Sequence, residues 1–182
     1  MKFQPTAIAG VTVIDLEPRR DERGFFARAY CPEEMAKAGV PFTPVHVNLS
    51  RNLVAGTLRG LHYQFPPHGE AKLVRAVRGR IFDVAVDIRP SSPTYGRWHG
   101  EVLDWESGRA LLIPQGCAHG FLTLEPDCDV LYMASAAYAG HAEAGIRFDD
   151  PAIGIDWPLA PEVVSDRDKA QPLLKDAPPY PA

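Results

Sequence analysis

Cysteine is scarce in this 182-residue sequence, which contains three such residues, Cys31, Cys117 and Cys128. They are too few and too scattered for a disulfide framework, and none forms the Cys-x-x-Cys pair that is typical of zinc sites. A reducing compartment, the cytoplasm, is therefore the expected location.

Long hydrophobic runs are also missing. No stretch approaches the roughly 20 consecutive apolar residues that are needed to cross a bilayer. The N-terminal region lacks the apolar run and the small-residue cleavage site of a signal peptide. We therefore expect neither a membrane partner nor secretion.

Positive charge is not in excess, because the formal net charge is -4 at pH 7. A nucleic-acid backbone demands a basic surface, so we expect no nucleic-acid partner. A small anionic ligand remains compatible with this charge, since it needs only a local basic pocket. The length suits one domain with a substantial core, and we expect a single domain over residues 1–182.

Short β-branched or alternating runs separated by proline and glycine dominate the chain. Many short strands at this spacing predict a sandwich or barrel. One helix is predicted over residues 32–39, which begin with proline, continue with two acids and end with glycine. From about residue 160 the chain is proline-rich and is expected to wrap over the barrel or to lead to a partner subunit. The predicted strands cover residues 11–16, 72–77, 80–88, 100–103, 110–113, 120–124 and 129–133.

Two of the six histidines are candidates for a functional site. His62 and His119 are each expected at a strand–turn junction close to basic residues. A lone histidine is more often structural, but Arg59 and Lys72 bracket the His62 segment, which favours a site. Arg75 is interpreted as a solvated surface charge.

The segments around His62 and His119 resemble the cupin barrels, in which a His-x-His pair, an acid and a later histidine usually bind a metal. Here Gln64 replaces the second histidine of that pair. His68 and Glu70 could be invoked as ligands, but a tight metal site normally needs three or four imidazole, thiolate or carboxylate groups. We therefore expect no metal and favour acid–base chemistry.

Acid–base chemistry needs a base, a group that orients it and an acid. His62 is the candidate base, and Asp168 is a candidate for orienting its ring. Tyr132 and Tyr138 could donate a proton or stack on a flat ligand. The structural alternatives are a core aromatic for Tyr132 and an exposed loop aromatic for Tyr138.

Seven motifs that follow one another along the chain identify a family. The sequence resembles the dTDP-4-dehydrorhamnose 3,5-epimerases, which are cofactor-independent enzymes with a cupin jelly-roll fold. The resemblance implies an all-β cupin-type double-stranded β-helix with minor helices, and no cofactor. The motifs are DERGFF (21–26), LRGLHYQ (58–64), KLVR (72–75), FDVAVDIR (82–89), SPTYG (92–96), IPQGCAHGF (113–121) and SDRD (165–168).

The resemblance also implies roles for individual residues. His62 matches the catalytic base, Asp168 its dyad partner, Tyr132 the acid, and Lys72 the residue near the developing enolate. Tyr138 matches an aromatic that stacks in the substrate region. The remaining expected substrate-binding residues are Arg23, Asn48, Arg59, His119, Glu143 and Arg167, the last of which stands where the family commonly has lysine.

The expected substrate is a nucleoside-diphosphate 4-keto-6-deoxyhexose, and the expected assembly is a homodimer in which the N-terminal segment extends towards the partner. The family commonly has glutamate where this chain has Arg28, and Gln-Asp-Asn where it has His46, Val47 and Asn48. Epimerisation at C3 or C5 alone, on a related sugar nucleotide, is one alternative. A metal-dependent cupin enzyme and a non-catalytic sugar-binding cupin are two others.

Overall fold

The computed structural model describes residues 1–181, which form fourteen strands and two short α-helices. The first sheet has the order β1 (Lys2–Pro5), β2 (Thr12–Asp15), β10 (Ala110–Ile113), β7 (Lys72–Arg78), β12 (Cys128–Ala134) and β5 (His46–Asn52). The second has the order β13 (Glu143–Gly145), β6 (Thr57–Gln64), β11 (Cys117–Thr123), β8 (Arg80–Asp87) and β9 (Trp98–Asp104). Strand β14 (Val163–Val164) pairs parallel with β6, and β3 (Arg19–Asp21) forms a separate hairpin with β4 (Gly24–Phe26).

The main core lies between the two sheets. Val74 and Val130 from the first sheet pack with Ile81 and Phe121 from the second in one buried cluster. Every other strand pair in the two sheets is antiparallel. The predicted all-β fold with minor helices is therefore confirmed.

Helix α1 (Pro32–Lys37) covers the outer face of the first sheet. Its Met35 packs there with Phe42 and Leu73. The helix ends at the Ala38 C-cap, and Gly39 follows with a φ of 77°, a left-handed conformation that glycine adopts without steric cost. The predicted helix is confirmed, and its final glycine lies just outside it.

The C-terminal segment covers the outer face of the second sheet. After α2 (Asp166–Lys169) the chain runs across this face, and the Tyr180 ring packs 6.0 Å from the Phe65 ring and 6.2 Å from the Tyr63 ring. The backbone N–H of Leu174 donates to Asp150 Oδ2 over 2.6 Å. Of the two expected courses, the chain therefore takes the one that wraps over the barrel.

All seven predicted strands coincide with observed ones, whereas β1, β3, β4, β5, β6, β13 and β14 were not predicted. His62 lies within β6 and His119 within β11, so the expectation that both histidines sit at strand–turn junctions is wrong.

No helix among residues 1–181 is long and apolar enough to span a membrane.

Candidate active site

A cavity of about 500 Å³ opens between the two sheets. The second sheet contributes side chains from β6 and β11, and the first sheet contributes side chains from β5, β7 and β12. The C-terminal segment closes one wall with residues 163–165, 167 and 168. The lining residues with polar side chains are Ser50, Thr57, Arg59, His62, Lys72, His119, Tyr132, Ser165, Arg167 and Asp168.

His62 and Asp168 form a hydrogen-bonded pair in this cavity. His62 Nε2 lies 2.7 Å from Asp168 Oδ1, and the backbone N–H of Gly60 donates to Asp168 Oδ2 over 3.2 Å. Ser165 caps α2 by accepting the Asp168 backbone N–H over 3.1 Å. Burial opposes ionisation of Asp168, but the hydrogen bond and charge of His62, with the Gly60 N–H, outweigh it and lower the pKa of the carboxyl. An ionised Asp168 can fix the tautomer and orientation of the His62 ring.

Close packing of β6 against β11 positions the two histidines side by side. His62 and His119 are register partners. A Cβ on Gly60 would lie 2.5 Å from Gly120 Cα and 2.7 Å from the His119 carbonyl oxygen. Gly60 also has a φ of 126°, so both space and backbone conformation require glycine there.

Tyr132 and Lys72 face the histidines from the first sheet. Burial, followed by the negative charge of Glu70, raises the pKa of the Tyr132 hydroxyl. Tyr132 is therefore protonated at neutral pH and able to donate. Lys72 Nζ lies 2.9 Å from Glu70 Oε1, which holds its ammonium group at the cavity wall.

His119 is held by a carboxylate that the sequence prediction missed. Its Nε2 lies 2.7 Å from Oδ1 of the fully buried Asp83. Burial raises the pKa of Asp83, against the opposing effect of His119 and Lys72. The sequence did offer a signal for this residue: Asp83 is an acid among the apolar residues of β8, and a buried carboxyl group needs a polar partner.

A second cavity of about 370 Å³ adjoins the first and shares His62, Lys72 and Tyr132 with it. Tyr138 and Glu143 are on its rim, where the Tyr138 hydroxyl donates to Glu143 Oε2 over 2.6 Å. Tyr138 is 64% exposed. The other polar residues that line this cavity are His46, Asn48, Tyr63, Gln64 and Glu70.

Two arginines also line the larger cavity, in addition to Lys72. Arg59 Nε donates to Asn52 Oδ1 over 2.8 Å, and Arg167 Nη2 lies 2.6 Å from Glu143 Oε2. Ser50 of β5 lines this cavity, and Asn52 of β5 holds Arg59 in place. The sequence prediction missed both residues, because that strand was itself not predicted.

Arg23 is the one predicted site residue that lines neither cavity of this chain. It follows β3, its side chain is 82% exposed, and its Nη2 lies 2.6 Å from Asp21 Oδ2. Arg28 Nη1 pairs with Glu34 Oε1 over 2.8 Å.

The interpretation of Arg75 as a surface charge is wrong. The side chain is 8% exposed, and Nε donates to the Gly108 carbonyl over 2.6 Å while Nη2 donates to the Ala29 carbonyl over 3.2 Å. Arg75 neighbours the core residue Val74 in β7 and points to the outer face of the first sheet, where the Ala29 backbone contacts it. It therefore anchors a connecting segment and has no place in the cavity.

Gln64 is fully engaged in hydrogen bonds. Its Oε1 accepts the Ala139 backbone N–H over 2.6 Å, and its Nε2 donates to the carbonyls of His68 and Ala137. Across residues 1–181 no group of three or more histidine, cysteine or acidic side chains is arranged to hold a metal ion. The Gln64 side chain is therefore committed to backbone partners in the two neighbouring loops.

Comparison with known proteins identifies relatives over nearly the whole chain. Residues 5–176 match the family model described as dTDP-4-dehydrorhamnose 3,5-epimerase. A 3,5-epimerase of that name from Sinorhizobium fredii is 42% identical over 98% of this chain and 92% of its own length. A dTDP-4-dehydrorhamnose 3-epimerase from Streptomyces niveus is 40% identical over 97% of this chain and 86% of its own.

A solved structure gives the same result for the fold. The Legionella pneumophila dTDP-6-deoxy-D-glucose-3,5-epimerase, in complex with dTDP-4-keto-L-rhamnose, superposes with a TM-score of 0.91 at 38% identity, covering 100% of this chain and 99% of that one. The cupin-type jelly roll implied by the sequence motifs is thereby confirmed.

Proposed function

Because the chain belongs to the dTDP-4-dehydrorhamnose 3,5-epimerase family, we propose that it converts dTDP-4-dehydro-6-deoxy-D-glucose into dTDP-4-dehydro-L-rhamnose. The reaction inverts C3 and C5, both of which are next to the C4 ketone. That ketone makes their hydrogens acidic, so no redox cofactor is required. We propose that the protein acts without a cofactor, as one domain, in the cytoplasm.

The observation that carries this proposal is the pair of proton-transfer groups on opposite walls of one cavity. His62, oriented by Asp168 at 2.7 Å, belongs to the second sheet, and Tyr132 belongs to the first. Inversion of a carbon centre requires removal of a proton from one face and delivery to the other. His62 would take the C3 or C5 proton, and the Tyr132 hydroxyl would supply the replacement.

Stabilisation of the enolate is the second requirement. Deprotonation leaves negative charge on the C4 oxygen, and preorganised donors in a water-poor cavity lower the barrier most effectively. We assign this role to Lys72 and His119. Their carboxylate partners, Glu70 and Asp83, keep both groups in position.

Substrate binding is assigned to the charged and aromatic residues around the two cavities. Arg59 and Arg167 suit the diphosphate, because a guanidinium group binds pairs of oxygens bidentately. Asn48, Tyr138 and Glu143 border the smaller cavity and would contact the remaining sugar or nucleoside groups. Arg23 is assigned to the cavity of a partner subunit.

A homodimer is supported by the outer face of β5. This strand is an edge of the first sheet, and its Val47 and Leu49 side chains are 60% and 65% exposed. Phe25 and Phe26 on the β4 hairpin are also exposed. Exposed apolar groups concentrated in this way are typical of a protein interface.

Epimerisation at C3 alone is the second candidate, which the relative from Streptomyces niveus favours. Incubation with dTDP-4-dehydro-6-deoxy-D-glucose in deuterated water separates the two. We expect deuterium at both C3 and C5, detected by NMR, for the 3,5-epimerase, and at C3 alone for the second candidate. Activity that is lost with a chelator and restored by iron or manganese would support the metal-dependent alternative instead.

Variants assign the two proton-transfer roles in the same assay. His62→Ala should lower exchange and inversion by about 10³-fold, because the general base is gone. Tyr132→Phe should retain exchange but lose inversion, since His62 can return a deuteron only to the face from which it took the proton. His99→Ala and Tyr95→Phe, outside both cavities, serve as controls. Full exchange by His62→Ala would refute the assignment, and would favour a non-catalytic role for this histidine.

A further inference from the structure

Two histidines that the proposed mechanism does not use lie against each other beside the smaller cavity. His68 is in the β6–β7 loop and His141 in the β12–β13 loop, with their Nε2 atoms 3.2 Å apart. The ring centroids are 4.8 Å apart and the ring planes nearly perpendicular, at 86°. His141 is exposed and His68 half-buried, so the pair is open to solvent on one side.

Buried hydrogen bonds tie the two loops together beneath these rings. The Gln64 amide donates to the His68 carbonyl over 3.0 Å and accepts the Ala139 N–H over 2.6 Å. The Phe65 N–H donates to the Ala142 carbonyl over 2.9 Å. The backbones that carry the two imidazoles are therefore held at a fixed separation. A ligand that bridges the two rings would cost little conformational entropy, because the loops are already ordered.

The separation of the two nitrogens fits a chelated metal ion. With metal–nitrogen bonds of about 2.0–2.1 Å, nitrogens at this spacing subtend roughly 100–105° at the metal, between the octahedral and tetrahedral angles. The χ2 torsion of histidine is broad, so a small ring rotation can turn both lone pairs to one point. We propose that His68 and His141 form a two-histidine binding site for a late first-row divalent metal ion.

Imidazole nitrogen selects the class of ion. Zn²⁺, Ni²⁺ and Cu²⁺ favour imidazole, whereas Mg²⁺ prefers oxygen ligands and retains its water. Two protein ligands leave the remaining positions to water, so the site differs from the three-ligand or four-ligand sites of structural and catalytic metals. The proposal does not depend on the proposed epimerase activity, because neither histidine lines the larger cavity.

Calorimetric titration of the tag-free full-length chain with ZnCl₂ and NiCl₂ tests the site. We expect one ion to bind per chain. His68→Ala and His141→Ala should each weaken binding on the order of a hundredfold, because the second ligand of a chelate attaches at a high effective concentration. MgCl₂ should give no saturable binding.

His99→Ala is the matched control, since it removes one imidazole from a histidine–carboxylate pair on β9 and should leave metal binding unchanged. A thermal midpoint measured without metal verifies that the two loop variants fold. Zn²⁺ should raise the midpoint of the wild type and of His99→Ala but not that of either loop variant. Absence of binding to the wild type, or wild-type affinity in both loop variants, would overturn the proposal.

Discussion

Asp83 and Asp87 are both buried, yet the pKa values of their carboxyl groups are shifted in opposite directions. Asp83 Oδ1 pairs with one histidine, Asp83 Oδ2 has no hydrogen-bond partner among residues 1–181, and burial raises the pKa of the carboxyl group. Asp87 accepts from Arg89, Ser92 and Thr94, each within 2.8 Å. Burial opposes its ionisation, but these hydrogen bonds outweigh that effect and lower the pKa of Asp87 to about 2. The ionised Asp87 side chain therefore has a structural role, because it holds the turn after β8 in place through these hydrogen bonds.

The low pKa of Asp87 predicts a pH-dependent contribution to stability. A carboxyl group whose pKa is lower in the folded state stabilises the fold above its unfolded-state pKa, and this contribution disappears as the pH falls through the folded-state value. A shift of the Asp87 pKa from the ordinary aspartate value of 3.8 to about 2 corresponds to about 2 kcal/mol. Asp87→Asn should therefore lower the free energy of unfolding by about 2 kcal/mol at pH 7, and the difference from wild type should shrink between about pH 4 and pH 2.

Urea titrations from pH 7 to pH 2 measure this difference. Asp149→Asn is the control, since Asp149 forms an exposed pair with Arg147, and exposed pairs contribute about 0–1 kcal/mol. A deficit in Asp87→Asn that stays constant down to pH 2 would contradict the ionisation argument.

At the scale of the element, β6 and β11 show how packing rather than side-chain chemistry aligns the site. A Cβ on Gly120 would lie 2.8 Å from the Arg59 carbonyl oxygen and 2.8 Å from Leu61 Cδ2. Gly120→Ala should push the two strands apart at the His62–His119 pair. We expect a loss of about 1–3 kcal/mol in stability and a fall in kcat of about a hundredfold, because catalysis is sensitive to displacements of about 1 Å.

Gly39→Ala separates these two effects. Its Cβ would meet nothing within 4 Å, but the φ of 77° makes the substitution cost about 1 kcal/mol. This glycine follows α1, outside both cavities, so stability should fall while kcat stays at the wild-type value. Denaturant unfolding and steady-state kinetics of both variants provide the comparison. Wild-type kcat in a folded Gly120→Ala protein would refute the alignment argument.

Strand β5 explains why part of the site was invisible to sequence patterns. Its inward side chains, Asn48 and Ser50, are polar because they line the cavities, and its outward ones, Val47 and Leu49, are apolar and exposed. In a typical half-buried strand the inward side chains are apolar and the outward ones are polar. Strand β5 has the reverse pattern, so its sequence does not predict a strand with one face in an apolar core. The second sheet is covered on both faces, which similarly removes the alternation from β6. Strands with alternating or β-branched runs, such as β8 and β10, were predicted correctly.

At the scale of the whole molecule, contacts between distant segments decide what sequence patterns could reveal. Asp168 reaches His62 across 106 residues, so the sequence could offer Asp168 as a candidate partner but no spacing or periodicity could place it beside His62. Arg75 was interpreted as a surface charge because nothing local indicates that the Ala29 carbonyl, 46 residues away in sequence, accepts its hydrogen bond. Local patterns therefore predicted the fold class and most core strands, while the site depends on how the two sheets and the C-terminal segment meet.

Arg23 lines neither cavity of its own chain, so the contact that would bring it to a cavity is one between subunits. If it completes the cavity of a partner, Arg23→Ala and His62→Ala homodimers should each be nearly inactive. Mixing them in equal amounts under conditions that exchange subunits should restore about a quarter of wild-type activity, because half the dimers are mixed and each has one intact site.

Two measurements control the mixing experiment. Sedimentation equilibrium should give a dimer for the wild type, and Leu49→Glu on the outer face of β5 should shift it towards monomer, unlike Val77→Glu at an exposed position of β7. Mixing His62→Ala with Asp168→Asn should restore nothing, because these two residues pair within one chain. No recovery in the first mixture would mean that Arg23 does not act across the interface, and its side chain would then have to reach the cavity of its own chain by movement of the β3–β4 hairpin. Recovery in the second mixture would contradict the pairing of His62 and Asp168 within one chain.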